Sequence, residues 1–179
     1  RALTPWHRSI GRRLPWLYVN LTTAFAAAMV VSAFEETIAQ WTVLAIFLPI
    51  IAGQGGNAGM QTLTIIIRDI ALGELNPGDG RKALIKELCI ALVNGIAIGL
   101  VVGLISFLWK GNPTLGWVVG IAMVMTQLTA ALAGVLIPLT LRAIRVDPAL
   151  ASSIFLTTAT DIGGFLFFLW LASYALERV

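Results

Sequence analysis

Apolar residues fall along this chain in long runs separated by short polar breaks. The runs cover roughly 14–34, 38–67, 88–109, 115–141 and 149–174. A helix needs about 20 apolar residues to cross a bilayer core, so the pattern predicts five spanning helices in an all-α polytopic membrane protein. The second run is too long for one straight perpendicular span at about 1.5 Å per residue. Pro49 and the segment Gly53–Thr62 interrupt it, which predicts a tilted or kinked helix. Residues 68–87 form the longest polar connection, with Asn76–Gly80 as its turn. Glu35 and Glu36 make a short acidic turn, Lys110–Pro113 a tight one, and Arg142–Pro148 a basic loop.

The last run carries a carboxylate, Asp161, midway between Ala149 and Tyr174. An ionisable group at mid-bilayer costs about 3 kcal/mol on insertion scales. It needs a water-filled cavity, a partner or a bound cation. Ser153, Thr157, Asp161 and Gly164 recur at four- and three-residue spacing on one helical face, with Thr158 and Thr160 beside them. This polar stripe reads as the lining of a pore. The competing reading is a protonated Asp that ties helices together by hydrogen bonds.

A second stripe weighs against that alternative. Gln54, Asn57 and Gln61 place three amides on one face of the second run. Gly55 and Gly59 lie on the opposite face, where another helix can approach closely. Carboxamides can hold the water shell of a cation without trapping it, the compromise that conduction requires. The amides could instead knit neighbouring helices together. Two polar stripes in different helices favour a solute path.

Composition narrows the chemistry. With 58% hydrophobic and 12% charged residues in 179, this is no ordinary soluble domain. The net charge of +3, without a basic patch, gives no footprint for nucleic acid. Cys89 and His7 are the only residues of their kinds, so no disulfide or zinc site can be assembled within one chain. The remaining ligands are oxygens, which suit hard cations. Magnesium keeps several of its waters, so a roomy site with one carboxylate per chain fits hydrated Mg²⁺. A symmetric dimer would double that charge. An intramembrane aspartyl hydrolase needs two carboxylates at depth, and the chain offers one.

Basic residues set the expected topology. Residues 1–13, 68–87 and 142–148 hold all of them except Lys110 and Arg178. Positive residues stay cytoplasmic, which predicts an internal N-terminus and an external C-terminus. Residues 1–13 read as a cytoplasmic basic connector without a cleavable-signal pattern, with Trp6 and Trp16 as interfacial anchors. Residues 14–179 read as the transmembrane ion-channel domain. Gly95, Gly99 and Gly103 form a small-residue face for close helix packing. Asn94, Thr126 and Gln127 are expected to hydrogen-bond between helices. Asp147 is expected to cap the last helix and to sit near the cytoplasmic mouth.

Three stretches carry a family resemblance. They are Pro49-Ile-Ile-Ala-Gly-Gln-Gly-Gly-Asn-Ala-Gly-Met-Gln-Thr62, then Arg68 with Ala71-Leu-Gly-Glu74, then Asp147-Pro-Ala-Leu-Ala151 followed by Thr157-Thr-Ala-Thr-Asp-Ile-Gly-Gly164. In order and spacing the chain resembles the membrane domain of the MgtE family of magnesium channels, over essentially its whole length. The resemblance implies a homodimer in the plasma (inner) membrane, with five spans per chain and a pore on the two-fold axis. It implies that Asp161 holds hydrated Mg²⁺, that the Thr157 carbonyl lies close to the ion, and that Asn57 lines the pore toward the cytoplasm. Mn²⁺, Co²⁺ or Ca²⁺ could take the place of Mg²⁺. Gln61, Ser153 and Thr158 complete the expected lining. Ser153-Ile154 stands where the family often has Asn or Gly followed by Pro. Full-length members also carry cytoplasmic Mg²⁺-sensing domains, the expected partners of this stretch. A rival reading is a carrier coupled to protons or sodium through Asp161.

Overall fold

The computed structural model describes residues 6–76, 78–145 and 148–177. They form six helices: α1 (Trp6–Ala33), α2 (Glu35–Gln40), α3 (Leu44–Leu72), α4 (Gly80–Lys110), α5 (Pro113–Ala143) and α6 (Pro148–Leu176). The all-helical expectation holds for these residues. Within α1, α4, α5 and α6 lie four segments long and apolar enough to cross a membrane, judged by length and composition. α3 is not among them, although its 29 residues would reach about 44 Å at 1.5 Å per residue. Its amides and glycines dilute the apolar run.

Several boundaries differ from the sequence reading. The second run is split by a turn at 41–43, where Trp41 leaves helical geometry (φ −130°, ψ 68°). Those residues are apolar or β-branched, so hydropathy carries no mark of the break. Segment Gly53–Thr62 continues α3 without interruption. Each glycine there costs the helix about 1 kcal/mol relative to Ala. Close packing at Gly55 and Gly59 offsets part of that cost. The polar connection shrinks to 73–79, because Arg81, Lys82, Lys86 and Glu87 belong to the first turns of α4. Gly73 ends α3 at φ 71°, and its N–H closes onto the Asp69 and Ile70 carbonyls, an αL cap that suits Gly. Glu35 and Glu36 open α2, where acidic residues complement the helix dipole.

α5 is the central helix, packed against α3, α4 and α6, while α1 lies on α6. Its sequence is apolar around most of its circumference, as a helix buried on most sides must be. Leu115, Val119, Ala122, Met123, Ala130 and Val135 are fully buried. The predicted glycine face of α4 meets α5 at backbone distance. A Cβ added to Gly99 would lie 2.6 Å from the Gly120 carbonyl oxygen, and one on Gly103 would lie 2.8 Å from that of Gly116.

Two contacts sort the connections onto opposite ends. Arg142 Nη1 donates to the Leu75 carbonyl at 3.0 Å, placing the α3–α4 loop beside the end of α5. At the other end Phe47 meets Trp109 edge-on, with centroids 6.4 Å apart, and Lys110 lies over the Trp109 ring. This pairing agrees with the sides deduced from basic residues, without fixing which end is cytoplasmic.

Replacing Gly99 by Ala is expected to lower stability by about 1–3 kcal/mol through overpacking, despite the better helix propensity of Ala. Thermal unfolding in detergent would show it, and the exposed Val101→Ala should fall within about 0.5 kcal/mol of the parent. Equal effects would contradict the α4–α5 contact.

Candidate functional site

α3 and α6 are held side by side by residues that lack side chains. A Cβ on Gly55 would meet Thr126 Cγ2 at 2.7 Å and Thr160 Cβ at 3.4 Å. One on Gly59 would meet Leu156 Cδ1 at 2.8 Å, and one on Gly164 would meet Ile51 Cγ2 at 2.9 Å. The glycine face of α3 is therefore the packed face, as its spacing predicts. Gly164 belongs to this packing too. The expected open stripe on α6 thus ends before Gly164, because that residue turns in against α3 and α5.

Thr126 fills the space where α3, α5 and α6 meet. It is fully buried, and its hydroxyl donates to the Ala122 carbonyl at 2.8 Å. The expected bond between helices is not made. A threonine can satisfy its hydroxyl within its own helix and leave its methyl to pack against Gly55.

The polar positions lie on the other sides. Asn57 on α3 and Ser153 on α6 are exposed, and Thr157, Thr158 and Asp161 are partly so. Thr157 Oγ1 donates to the Ser153 and Ile154 carbonyls at 3.1 and 3.0 Å, and Thr158 Oγ1 to that of Ile154 at 2.8 Å. These hydroxyls satisfy their donors inside α6 and keep lone pairs to offer. Among the described residues, no hydrogen bond or ion pair reaches the Asp161 carboxylate. None holds a cluster of three His, Cys, Asp or Glu either. One chain therefore brings a single carboxylate to the middle of α6, and the protonated-strut reading finds no partner for it among the described residues. Asp147 lies outside the described residues.

Gln61 is directed elsewhere. With Thr62, Lys86, Glu87, Asn94 and Gln127 it lines a pocket of about 140 Å³ between α3, α4 and α5. Glu87 is the group that sequence reasoning missed. It is 5% exposed, and it accepts a hydrogen bond from Thr62 Oγ1 at 3.0 Å. The signal was present in the glycine face of α4. Stepping back by fours from Gly95 reaches Ala91 and then Glu87, and all of these are buried.

Comparisons with known proteins find one family model and several relatives. Residues 48–171 match the family model MgtE, described as a divalent cation transporter. The chain is similar to proteins named magnesium transporter MgtE from three bacteria. It is 36% identical to the Thermus thermophilus protein over 168 residues, covering 93% of this chain and 37% of the relative. For Enterococcus faecalis the identity is 33% over 166 residues, with 93% and 37% covered. For Bacillus subtilis it is 32% over 162 residues, with 90% and 36% covered. The chain thus spans little more than a third of the length of these relatives.

The two faces of α3 should respond differently to substitution. Gly55→Ala is expected to cost about 1–3 kcal/mol by pressing on Thr126. Asn57→Ala should stay within about 0.5 kcal/mol of the parent, as exposed substitutions do. Both are read by thermal unfolding. A large loss for Asn57→Ala would make that amide a strut between helices.

Proposed function

The chain belongs to the MgtE family of divalent cation transporters, and from that premise we propose that it forms the pore domain of a dimeric magnesium channel. In this reading α3 spans the membrane with α1, α4, α5 and α6, giving five spans per chain. Two chains meet around a two-fold axis in the plasma (inner) membrane, with the N-terminus cytoplasmic. Asp161 from each chain holds hydrated Mg²⁺, and the Thr157 carbonyl lies near the ion. Asn57, Ser153 and Thr158 face the path. Cytoplasmic Mg²⁺-sensing domains belong to the greater length of the relatives and act through α1.

The observation that carries the reading is Asp161 itself: a half-buried carboxylate near the middle of α6, with no partner among the described residues. Burying a charge is costly unless it is paired or coordinates a cation. Among the described residues nothing brings it a positive group, so in this reading the neutralising charge comes from the permeant ion. Support also comes from α3 packing directly on α6 while its Asn57 face stays open. One carboxylate attracts a divalent ion weakly in a wet pore, and a pair sharing the ion attracts it about twice as strongly, since Coulomb terms add. Oxygen-only ligands and a retained water shell then favour Mg²⁺ over soft metals. Mn²⁺, Co²⁺ and Ca²⁺ share the hard or borderline character needed to substitute.

Asp161→Asn keeps the size of the side chain and removes its charge. Divalent selectivity should collapse in reconstituted liposomes, with Mg²⁺ flux falling at least tenfold, on the order of the 1.4 kcal/mol that a weakened ion contact represents, or giving way to monovalent leak. The dimer should stay folded. Wild-type Mg²⁺ selectivity in this variant would defeat the assignment, and flux that follows an opposing proton or sodium gradient would favour the carrier instead.

A further inference from the structure

We propose that the pocket between α3, α4 and α5 binds a hydrated divalent cation through Glu87, at a site separate from Asp161. The first observation is Glu87, a carboxylate buried to 5% exposure with its Oε2 held by the Thr62 hydroxyl. The second is Gln127, which is 3% exposed overall and lines the same pocket, with no hydrogen bond to the described residues. The amide opens on the pocket rather than on apolar side chains, so its hydrogen-bonding capacity is met by whatever polar group or water fills that space. Asn94 and Gln61 add two more carboxamides at the rim. Hard oxygens of this kind suit hydrated Mg²⁺ or a similar ion.

Room and charge both fit. A pocket of about 140 Å³ takes several waters at about 30 Å³ each, enough for an ion that keeps part of its shell. Lys86 Nζ stands 3.9 Å from Glu87 Oε1, on a side chain that is 67% exposed. So long and open a contact is weak, and the lysine can swing out to water. A monovalent ion displacing that ammonium would gain no charge. A divalent ion gains one, which is why the site selects it. The surrounding Ala58, Ile65, Ile90, Ala91 and Ala131 keep the wall apolar and the local field strong. None of these residues lies on α6, so the inference does not rest on the Asp161 reading.

Mn²⁺ is the probe. Crystals of wild type and of Asp161→Asn grown with Mn²⁺ should both show anomalous density in the pocket, and Glu87→Gln should lose it. Absence of the pocket peak in wild type, or its survival in Glu87→Gln, overturns the proposal. In wild type, absence of density beside Asp161 with the pocket peak present would count against the pore reading and leave this one standing. A second measurement covers the case in which Glu87→Gln does not fold. In the Asp161→Asn background, where this site remains, Lys86→Gln should tighten Mn²⁺ binding by about two- to fivefold, the reach of a weak exposed ion pair. An unchanged or weaker affinity, followed by Mn²⁺ paramagnetic resonance, overturns it as well.

Discussion

Everything in this bundle depends on how closely α5 can be approached. Lipid tails are as apolar as the helices, so hydrophobic burial alone does not drive helices together within a bilayer; close packing does. Gly99 and Gly103 bring α4 to within contact of the α5 backbone, and Gly134 does the same for α3, where an added Cβ would sit 2.8 Å from Thr62. Gly55, Gly59 and Gly164 complete the set around Thr126. Because the glycines are used on the inner faces, Asn57 of α3 and the carboxylate of α6 are turned away from the packed centre, while Gln61 lines the pocket toward α4 and α5. The polar chemistry is thus positioned by the absence of side chains opposite it.

The polar groups then divide by whether their own helix satisfies them. Thr126, Thr129, Thr157, Thr158 and Thr160 all donate to carbonyls three or four residues earlier. Hydroxyls in lipid-bound helices can close such bonds without help. A carboxylate cannot, since it has no donor to give when ionised. Asp161 and Glu87 are therefore the groups whose placement demands something further. Glu87 obtains part of it from Thr62, and Asp161 obtains none from the described residues of the chain. Both carboxylates therefore remain short of a full set of partners among the described residues, Asp161 more so than Glu87.

Much of this was legible in the residues. Long apolar runs located α1, α4, α5 and α6, and the four-residue repeat of Gly95, Gly99 and Gly103 named the contact face of α4. The spacing of Gly55 and Gly59 against Asn57 separated packed from open sides of α3, although Gln61, grouped with Gln54 and Asn57 by the same spacing, lines the pocket toward α4 and α5. Three features escaped. The break at 41–43 lies among apolar residues, so it leaves no hydropathy mark. The start of α4 was hidden by Arg81, Lys82, Lys86 and Glu87, whose charges read as loop although they continue the helix. Gly164 shared the spacing of the polar stripe, yet which neighbour it meets depends on the crossing of α6 with α3 and α5, and no single helix encodes that crossing.

The central claim is that the outward polar positions of α3 and α6 share one water-filled cation path. Cysteine accessibility tests it most directly, in a background where the exposed Cys89 is replaced by Ser. Cysteines at Asn57, Ser153 and Thr157 should react quickly with a small charged thiol reagent in liposomes, and Mg²⁺ should slow each reaction. Those at the buried Leu156 and Thr160, and at the exposed apolar Phe155, should stay unreactive. Should Ser153 and Thr157 react no faster than Phe155, or Mg²⁺ leave their rates unchanged, the path does not run along this face.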